Sequence, residues 1–327
     1  VAGALTAAVQ ARPAWSAMGA NGRAAILVRA AEIMRARRLD LAVLVGLEGG
    51  KARLESLADV DESIDFLQFY AREAVRIEAE DGALEARGVI AVVAPWNFPL
   101  AIPCGMTVAA LAAGNAAILK SARPTPLIAQ ALVDLLHEAG VPRDVVIHLP
   151  GPGSRIGAAL LADPRVAGCV FTGSKGVGTE IHQQLSSRTV AGRSPLVIAE
   201  MGGKNAVIVT ANADLDEAVS GCLYGAFGHA GQKCSAASRL LVDRRILAPF
   251  VERLVGAAND WQVGLALDVG TQVNPVINQT EASRLREIAS LCRAECQQQG
   301  GQVLLDRSSP KGDKSGNLVG PAIFLLP

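Results

Sequence analysis

The sequence of 327 residues has few aromatic side chains, no net charge and no long apolar run. Aromatic residues make up 4% of the chain, so its apolar half is mainly Ala, Val, Leu and Ile, as in parallel sheets covered by helices. The 31 basic residues balance the 31 acidic ones, which argues against a nucleic-acid-binding face. No segment reaches the roughly 18 uninterrupted apolar residues of a membrane span, so we expect no membrane association.

Three kinds of sequence signal are also missing. The six cysteines include no CxxC pair, so we expect no metal site and interpret most of them as buried thiols of a protein in a reducing cytoplasm. No signal peptide is recognisable. The GxGxxG fingerprint of dinucleotide-binding proteins is absent, because Gly151, Gly153 and Gly157 are out of its register.

Alternation of apolar runs and helical segments predicts the fold class. Helical periodicity dominates the first 80 residues, and five strand-like runs then follow at 88–94, 116–120, 145–149, 167–171 and 196–199. Helical segments separate these runs, so we predict an α/β protein with a doubly wound parallel sheet. We expect residues 1–200 to form N-terminal helices and a Rossmann-like dinucleotide-binding domain, and residues 201–327 to form an incomplete α/β catalytic domain.

A cysteine and a carboxylate are the candidates for chemistry. Cys234 lies among small residues that would let a substrate approach its sulfur, and Lys233 beside it would favour the thiolate. Glu200 directly follows the apolar run at 196–199. A thiol and a carboxylate base suffice for covalent acyl chemistry. The alternatives are a buried structural thiol and a solvated carboxylate at the end of a strand.

Other polar or glycine-rich segments follow the predicted strands, where such sheets bind ligands. Asn97 lies between two aromatic residues after the first strand, and Lys120 ends the second strand. The segment 173–178 begins a helix whose free N–H groups could receive a phosphate. An ordinary turn former, a surface lysine and a common strand-to-helix turn are the alternatives.

Together these segments resemble the aldehyde dehydrogenase superfamily, because five motifs occur in the order typical of that family. Their sequences look most like the 1-pyrroline-5-carboxylate dehydrogenase branch, which includes the C-terminal module of the bifunctional proline utilization A proteins. The motifs are Pro95-Trp96-Asn97-Phe98-Pro99, the segment from Lys120 to Pro126, Phe171-Thr172-Gly173-Ser174, the segment from Glu200 to Lys204, and the segment from Gly231 to Cys234.

The resemblance implies oxidation of an aldehyde through a thiohemiacetal and a thioester on Cys234. Asn97 and the backbone N–H of Cys234 would hold the oxyanion, and Glu200 would activate the hydrolytic water. It implies NAD or NADP as cofactor and L-glutamate 5-semialdehyde as substrate. The implied substrate-binding residues are Phe98, Lys233 and Ser235. The implied cofactor-binding residues are Ala94, Pro95, Trp96, Lys120, Ala122, Arg123, Gly153, Gly157, Phe171, Thr172, Gly173, Ser174, Gly178, Met201 and Gly202.

The sequence departs from the family pattern at two places. Arg123 replaces a glutamate that usually shares the cofactor ribose, and an arginine there would favour the 2′-phosphate of NADP. The sequence also stops before the family's Glu-Ile-Phe-Gly-Pro segment, so we expect a C-terminally truncated chain. Another short aldehyde, such as succinic semialdehyde, and an inactive nucleotide-binding remnant remain alternatives. For the full-length protein we expect a homo-oligomer and a fused or separate proline dehydrogenase.

Overall fold

The chain forms two compact units in a computed structural model that describes residues 1–82, 85–190 and 192–327. The first unit comprises Val1–Gly49 and Ser56–Met201, and the second comprises Gly50–Glu55 and Gly202–Pro327. No helix among the described residues is long and apolar enough to cross a membrane.

The described chain before the first strand is mainly helical, in agreement with the helical periodicity of the first 80 residues. The positive φ of Gly19 (+75°) marks the junction of the first two helices, a conformation that glycine adopts at little cost. Leu27, Met34 and Leu67 are fully buried in the core that these helices share with the sheet. The helices are α1 (Ala2–Ala17), α2 (Gly19–Ala36), α3 (Arg38–Gly49) and α4 (Arg53–Asp81).

The first unit contains a parallel sheet of five strands in the order β3-β2-β1-β4-β5, which confirms the predicted fold class. The strand order reverses between β1 and β4, and ligands of doubly wound sheets bind at the carboxyl ends of the strands beside such a reversal. The strands are β1 (Val89–Val93), β2 (Ala116–Lys120), β3 (Val146–His148), β4 (Val166–Gly173) and β5 (Leu196–Met201). The intervening helices are α5 (Ala101–Ala112), α6 (Pro126–Ala139), α7 (Ala158–Ala162) and α8 (Lys175–Ser186).

The sheet is covered on both faces, because successive side chains of a strand point to opposite sides. Ile90 and Val92 belong to the core beneath α2, α5 and α6, whereas Val89 and Ala91 belong to the core beneath α1 and α8. Burial of each large aliphatic side chain contributes about 1.5–3 kcal/mol to folding. This burial explains why the strands appear in the sequence as continuous apolar runs.

The helical segment after β3 begins irregularly. It starts with a π-helical turn at Gly153–Gly157 and continues as α7. Gly151 precedes it with φ +140°, where a Cβ atom would lie 2.8 Å from the Ile156 side chain. Wider turns of this kind often accompany functional sites, and this one follows strand β3 at the carboxyl edge of the sheet.

The second unit combines a parallel strand pair, three helices and an antiparallel strand pair. Phe250, Leu254 and Leu223 form its core, between the helices α9 and α10. Ile208 and Leu241 on the parallel strands are exposed. The elements are β6 (Asn205–Val209), α9 (Leu215–Phe227), β7 (Ala237–Val242), α10 (Leu247–Asp260), α11 (Gln279–Gln298), β8 (Gln302–Asp306) and β9 (Ala322–Leu325).

Candidate active site

The turn after β1 holds the first group of predicted site residues. Ala94 and Pro95 are buried, and Trp96, Asn97 and Phe98 are partly buried. The N–H of Ala94 donates a hydrogen bond to the carbonyl of Lys120, 3.1 Å away. This bond extends the pairing of β1 and β2 by one residue, so the carboxyl ends of the two strands are fixed together.

Lys120 ends β2 as a buried lysine, with 6% of its surface exposed. Its ammonium makes no hydrogen bond or ion pair to the described part of the chain, and burial lowers its pKa. A Cβ atom on Gly153 would lie 3.9 Å from the Lys120 Nζ, so the glycine leaves space beside the ammonium. A buried donor with adjacent space fits the hydroxyls of a cofactor ribose, because an unpaired buried ammonium costs free energy until a ligand satisfies it.

The segment after Lys120 contains a polar group that sequence reasoning missed. Arg123 is exposed, and Ala122 is buried. Ser121, with 1% of its surface exposed, lies with its Oγ 2.9 Å from the Nε2 of His148. His148 ends the neighbouring strand β3 and was not among the predicted site residues.

Five predicted cofactor residues lie together where α8 begins. A Cβ atom on Gly173 would lie 2.6 Å from the Phe171 ring, and one on Gly178 would lie 2.8 Å from the Met201 Sδ. Both glycines are therefore required for β4, β5 and α8 to pack closely. Ser174 caps α8, because its Oγ accepts a hydrogen bond from the N–H of Val177. The N–H groups of Lys175 and Gly176 in this first turn are left available to an anion.

Glu200 is an exposed residue near the end of β5. It pairs in register with Thr172 of β4, whose hydroxyl donates to the Sδ of Met106, 3.5 Å away. The carboxylate therefore lies at the carboxyl edge of the sheet, on the strand beyond the Phe171-Gly173 cluster. An exposed carboxylate at this place can be reached by water and is suited to act as a base.

Exposure separates Cys234 from the other five cysteines. Cys234 is exposed, Cys292 is partly buried, and the remaining four are buried. Burial raises the pKa of the Cys169 thiol to about 12 and also raises the pKa of the Cys104 thiol, so neither is a nucleophile near neutral pH.

The loop before Cys234 has an unusual backbone. His229 and Ala230 adopt φ of 52° and 54°, the left-handed region that costs a residue with a side chain roughly 1–2 kcal/mol. The Gln232 side chain accepts a hydrogen bond from the N–H of Ile277 at 2.9 Å. Asn205 donates to the carbonyl of Cys234 at 2.8 Å. The loop is thus held on both sides of the thiol.

Lys233 is fixed by two further contacts. Its ammonium lies 2.7 Å from the carboxylate of Glu55, and the two side chains are only 11% and 7% exposed. The same ammonium lies 4.3 Å from the centre of the Tyr224 ring, a cation–π geometry. A Cβ atom on Gly228 would approach both charged groups, at 3.2 and 3.4 Å. The residue before the thiol is therefore held by charge and by ring contact, whereas Ser235 after it is exposed.

The predicted residues fall into two groups, one in each unit. The first unit contains Asn97, Glu200 and the predicted cofactor residues up to Met201. The second contains Gly202, Lys233, Cys234 and Ser235. The sequence offered a signal for Asn205, which directly follows the Glu200–Lys204 motif, but none for Glu55 or Tyr224.

Known proteins are similar to this sequence over almost the whole chain. The sequence matches the aldehyde dehydrogenase family over residues 1–326. It is 37% identical to 1-pyrroline-5-carboxylate dehydrogenase of Bacillus subtilis, across 98% of this chain and 63% of that protein. It is also 37% identical to the bifunctional protein PutA of Klebsiella aerogenes, across 99% of this chain and 25% of that protein.

Two solved structures have the same fold. A mutant of proline utilization A from Bradyrhizobium japonicum superposes with a TM-score of 0.90 at 35% identity, across 98% of this chain and 33% of that one. The 1-pyrroline-5-carboxylate dehydrogenase from Thermus with bound NAD superposes with a TM-score of 0.89 at 34% identity, across 98% of this chain and 63% of that one. The chain thus spans less than two thirds of the length of these relatives.

Proposed function

The chain belongs to the aldehyde dehydrogenase family, and from this membership we propose that it is the major part of an NAD(P)-dependent enzyme that oxidises L-glutamate 5-semialdehyde to L-glutamate. Curated relatives at 35–37% identity bear the name 1-pyrroline-5-carboxylate dehydrogenase. The observation that carries the proposal is the exposed Cys234, held in a loop whose neighbouring side chains fix it on both sides.

In the proposed reaction, the Cys234 sulfur attacks the aldehyde carbon and forms a thiohemiacetal. The Asn97 side-chain amide and the Cys234 N–H hold the oxyanion, and one such donor is typically worth about 3–4 kcal/mol. A nicotinamide cofactor held at the carboxyl edge of the sheet would supply the hydride acceptor, and loss of hydride from the thiohemiacetal would leave a thioester on Cys234. Glu200 then takes a proton from water, and the resulting attack releases the carboxylate product and restores the thiol.

The residues at the carboxyl edge of the first unit's sheet are the proposed cofactor site. The comparison with the Thermus enzyme, whose structure has bound NAD, supports a cofactor of this type. The buried ammonium of Lys120 fits the adenosine ribose, and the first turn of α8 behind Ser174 fits the pyrophosphate. Arg123 is exposed and carries the charge that would receive a 2′-phosphate, so we propose that NADP is used in addition to NAD.

Substrate specificity is proposed to come from the residues beside the thiol. Ser235 would anchor the substrate carboxylate, and Phe98 and Lys233 would line the substrate site. Because the name of the Klebsiella relative describes a bifunctional protein, we further propose that a proline-oxidising enzyme, fused or separate, supplies the substrate in the cytoplasm. We propose a homo-oligomer for the whole protein.

A single-turnover experiment tests the catalytic assignment. The protein is mixed with NAD or NADP and with glutamate semialdehyde, succinic semialdehyde or propanal, and reduced cofactor is followed by absorbance. We expect the fastest formation with glutamate semialdehyde and none in Cys234→Ala. In Glu200→Gln we expect one burst of reduced cofactor followed by turnover slowed about 10²–10⁴-fold, because hydrolysis of the thioester lacks its base.

Each alternative has its own result in this experiment. A preference for succinic semialdehyde would keep the chemistry and replace the substrate. No reduced cofactor with any aldehyde, combined with cofactor binding, would indicate a nucleotide-binding protein without dehydrogenase activity.

A further inference from the structure

A chain of four polar side chains links helix α6 to the segment that follows strand β2. The amide of Gln130 donates to the carboxylate of Asp134 at 2.9 Å, and its oxygen lies 2.8 Å from the Nδ1 of His148. The Nε2 of His148 lies 2.9 Å from the hydroxyl of Ser121. All four residues belong to the first unit.

The chemistry of these groups fixes where the protons lie. The Asp134 carboxylate only accepts, so it holds the NH₂ of Gln130 and turns the amide oxygen toward His148. The Nδ1 of His148 must then carry a hydrogen, and the Nε2 of the neutral ring accepts the hydroxyl proton of Ser121. Burial lowers the pKa of His148, and the carboxylate of Asp134 opposes this effect. The ring is therefore neutral at pH 7.

The position of Ser121 connects these four hydrogen-bonded side chains to the proposed cofactor site. It directly follows Lys120 and precedes Arg123 by two residues, so both cations proposed to receive the cofactor belong to the segment that Ser121 anchors. Around strand β3, helix α6 contributes Asp134 and Gln130, strand β2 contributes Ser121 after Lys120, and helix α1 packs through the apolar Leu5 and Ala8. Asp134 is the charged group that acts on the imidazole.

We propose that His148 is a positioning residue that influences the choice between NAD and NADP. Its imidazole takes up a proton when a 2′-phosphate binds to the segment carrying Lys120 and Arg123. This inference rests on the proposed cofactor site. It makes affinity for a 2′-phosphorylated adenosine rise as the pH falls, whereas affinity for an adenosine without that phosphate stays unchanged.

Electrostatics sets the direction of this pH dependence. A 2′-phosphate brings about two negative charges, which favour the charged form of a nearby imidazole. In the free protein His148 is neutral above its usual titration range, so binding of the phosphate raises its proton affinity and a proton enters from solvent. On protonation the Nε2 becomes a donor, and the Ser121 hydroxyl rotates to accept from it. The hydrogen bond between His148 and Ser121 therefore persists, and a positive charge is added on His148 beside the segment.

Binding of adenosine fragments tests the proposal without requiring catalysis. The probes are adenosine 2′,5′-bisphosphate and 5′-AMP, and titration calorimetry in buffers of different ionisation enthalpy gives the protons taken up on binding. Between pH 8 and pH 6.5 we expect the wild-type affinity for the bisphosphate to rise about fivefold more than in His148→Gln, because glutamine cannot titrate. Taking the difference between variants cancels protonation of the ligand itself. For 5′-AMP we expect no difference.

A second variant separates titration from a loss of packing. Asp134 is exposed, so Asp134→Asn leaves the core intact. It removes the charge that favours the imidazolium, and we expect less proton uptake with the bisphosphate at pH 7. Equal proton uptake by the wild type and His148→Gln would overturn the role of His148 while leaving the dehydrogenase assignment intact. Failure of both adenosine phosphates to bind would instead overturn the proposed cofactor site.

Discussion

The ammonium of Lys233 shows how a single residue beside the thiol depends on a distant partner. Its contact with Glu55 is almost entirely buried, and the Tyr224 ring covers it from another side. Removal of one member of a buried ion pair leaves an uncompensated charge, which typically costs about 3–5 kcal/mol. Because Lys233 directly precedes Cys234, we expect loss of the pair to destabilise the loop that carries the thiol.

We predict that Glu55→Gln and Lys233→Met each destabilise the second unit by several kcal/mol. The double variant should be less destabilised than the sum of the two, since neither charge is then left alone. Hydrogen exchange of amides in α9 and β7 measures the change for this unit. Additive effects of the two substitutions would show that the pair makes no coupled contribution.

At the scale of elements, the turn between α9 and Cys234 has a run of left-handed backbone conformations. Gly231 has φ +70°, and a Cβ atom there would lie 2.9 Å from the carbonyl oxygen of Ala226. Two preceding residues, His229 and Ala230, already adopt left-handed conformations. These backbone conformations therefore help to set the path of the loop that leads to Cys234.

Gly231→Ala should destabilise the second unit by about 2 kcal/mol, because it adds a clash to a left-handed conformation. Gly221→Ala is the matched control. It lies in α9 with open space around its Cβ position, and we expect it to stabilise the helix by about 0.5–1 kcal/mol. Thermal unfolding of both variants, followed by circular dichroism, measures the two opposite shifts. A stable Gly231→Ala would show that the turn tolerates another backbone path.

For the molecule as a whole, sequence reasoning succeeded where the signal was local. Runs such as 116–120 predicted strands because parallel strands are buried on both faces, and the order of motifs indicated the family. Local sequence patterns could not predict the contacts that support the candidate site. Glu55 and Lys233 are 178 positions apart, and Ser121 and His148 are 27 apart, so only the folded chain brings them together.

The membership of residues 50–55 in the second unit has a practical consequence for dissection of the protein. A polypeptide that begins at Gly202 would contain Cys234 and its loop but would leave Glu55 behind, so the Lys233 ammonium would lose its counter-ion. We predict that such a fragment is poorly folded, and that a fusion of residues 50–55 to its N-terminus recovers cooperative unfolding in part. This unit is discontinuous in the amino-acid sequence, and a single cut cannot release it whole.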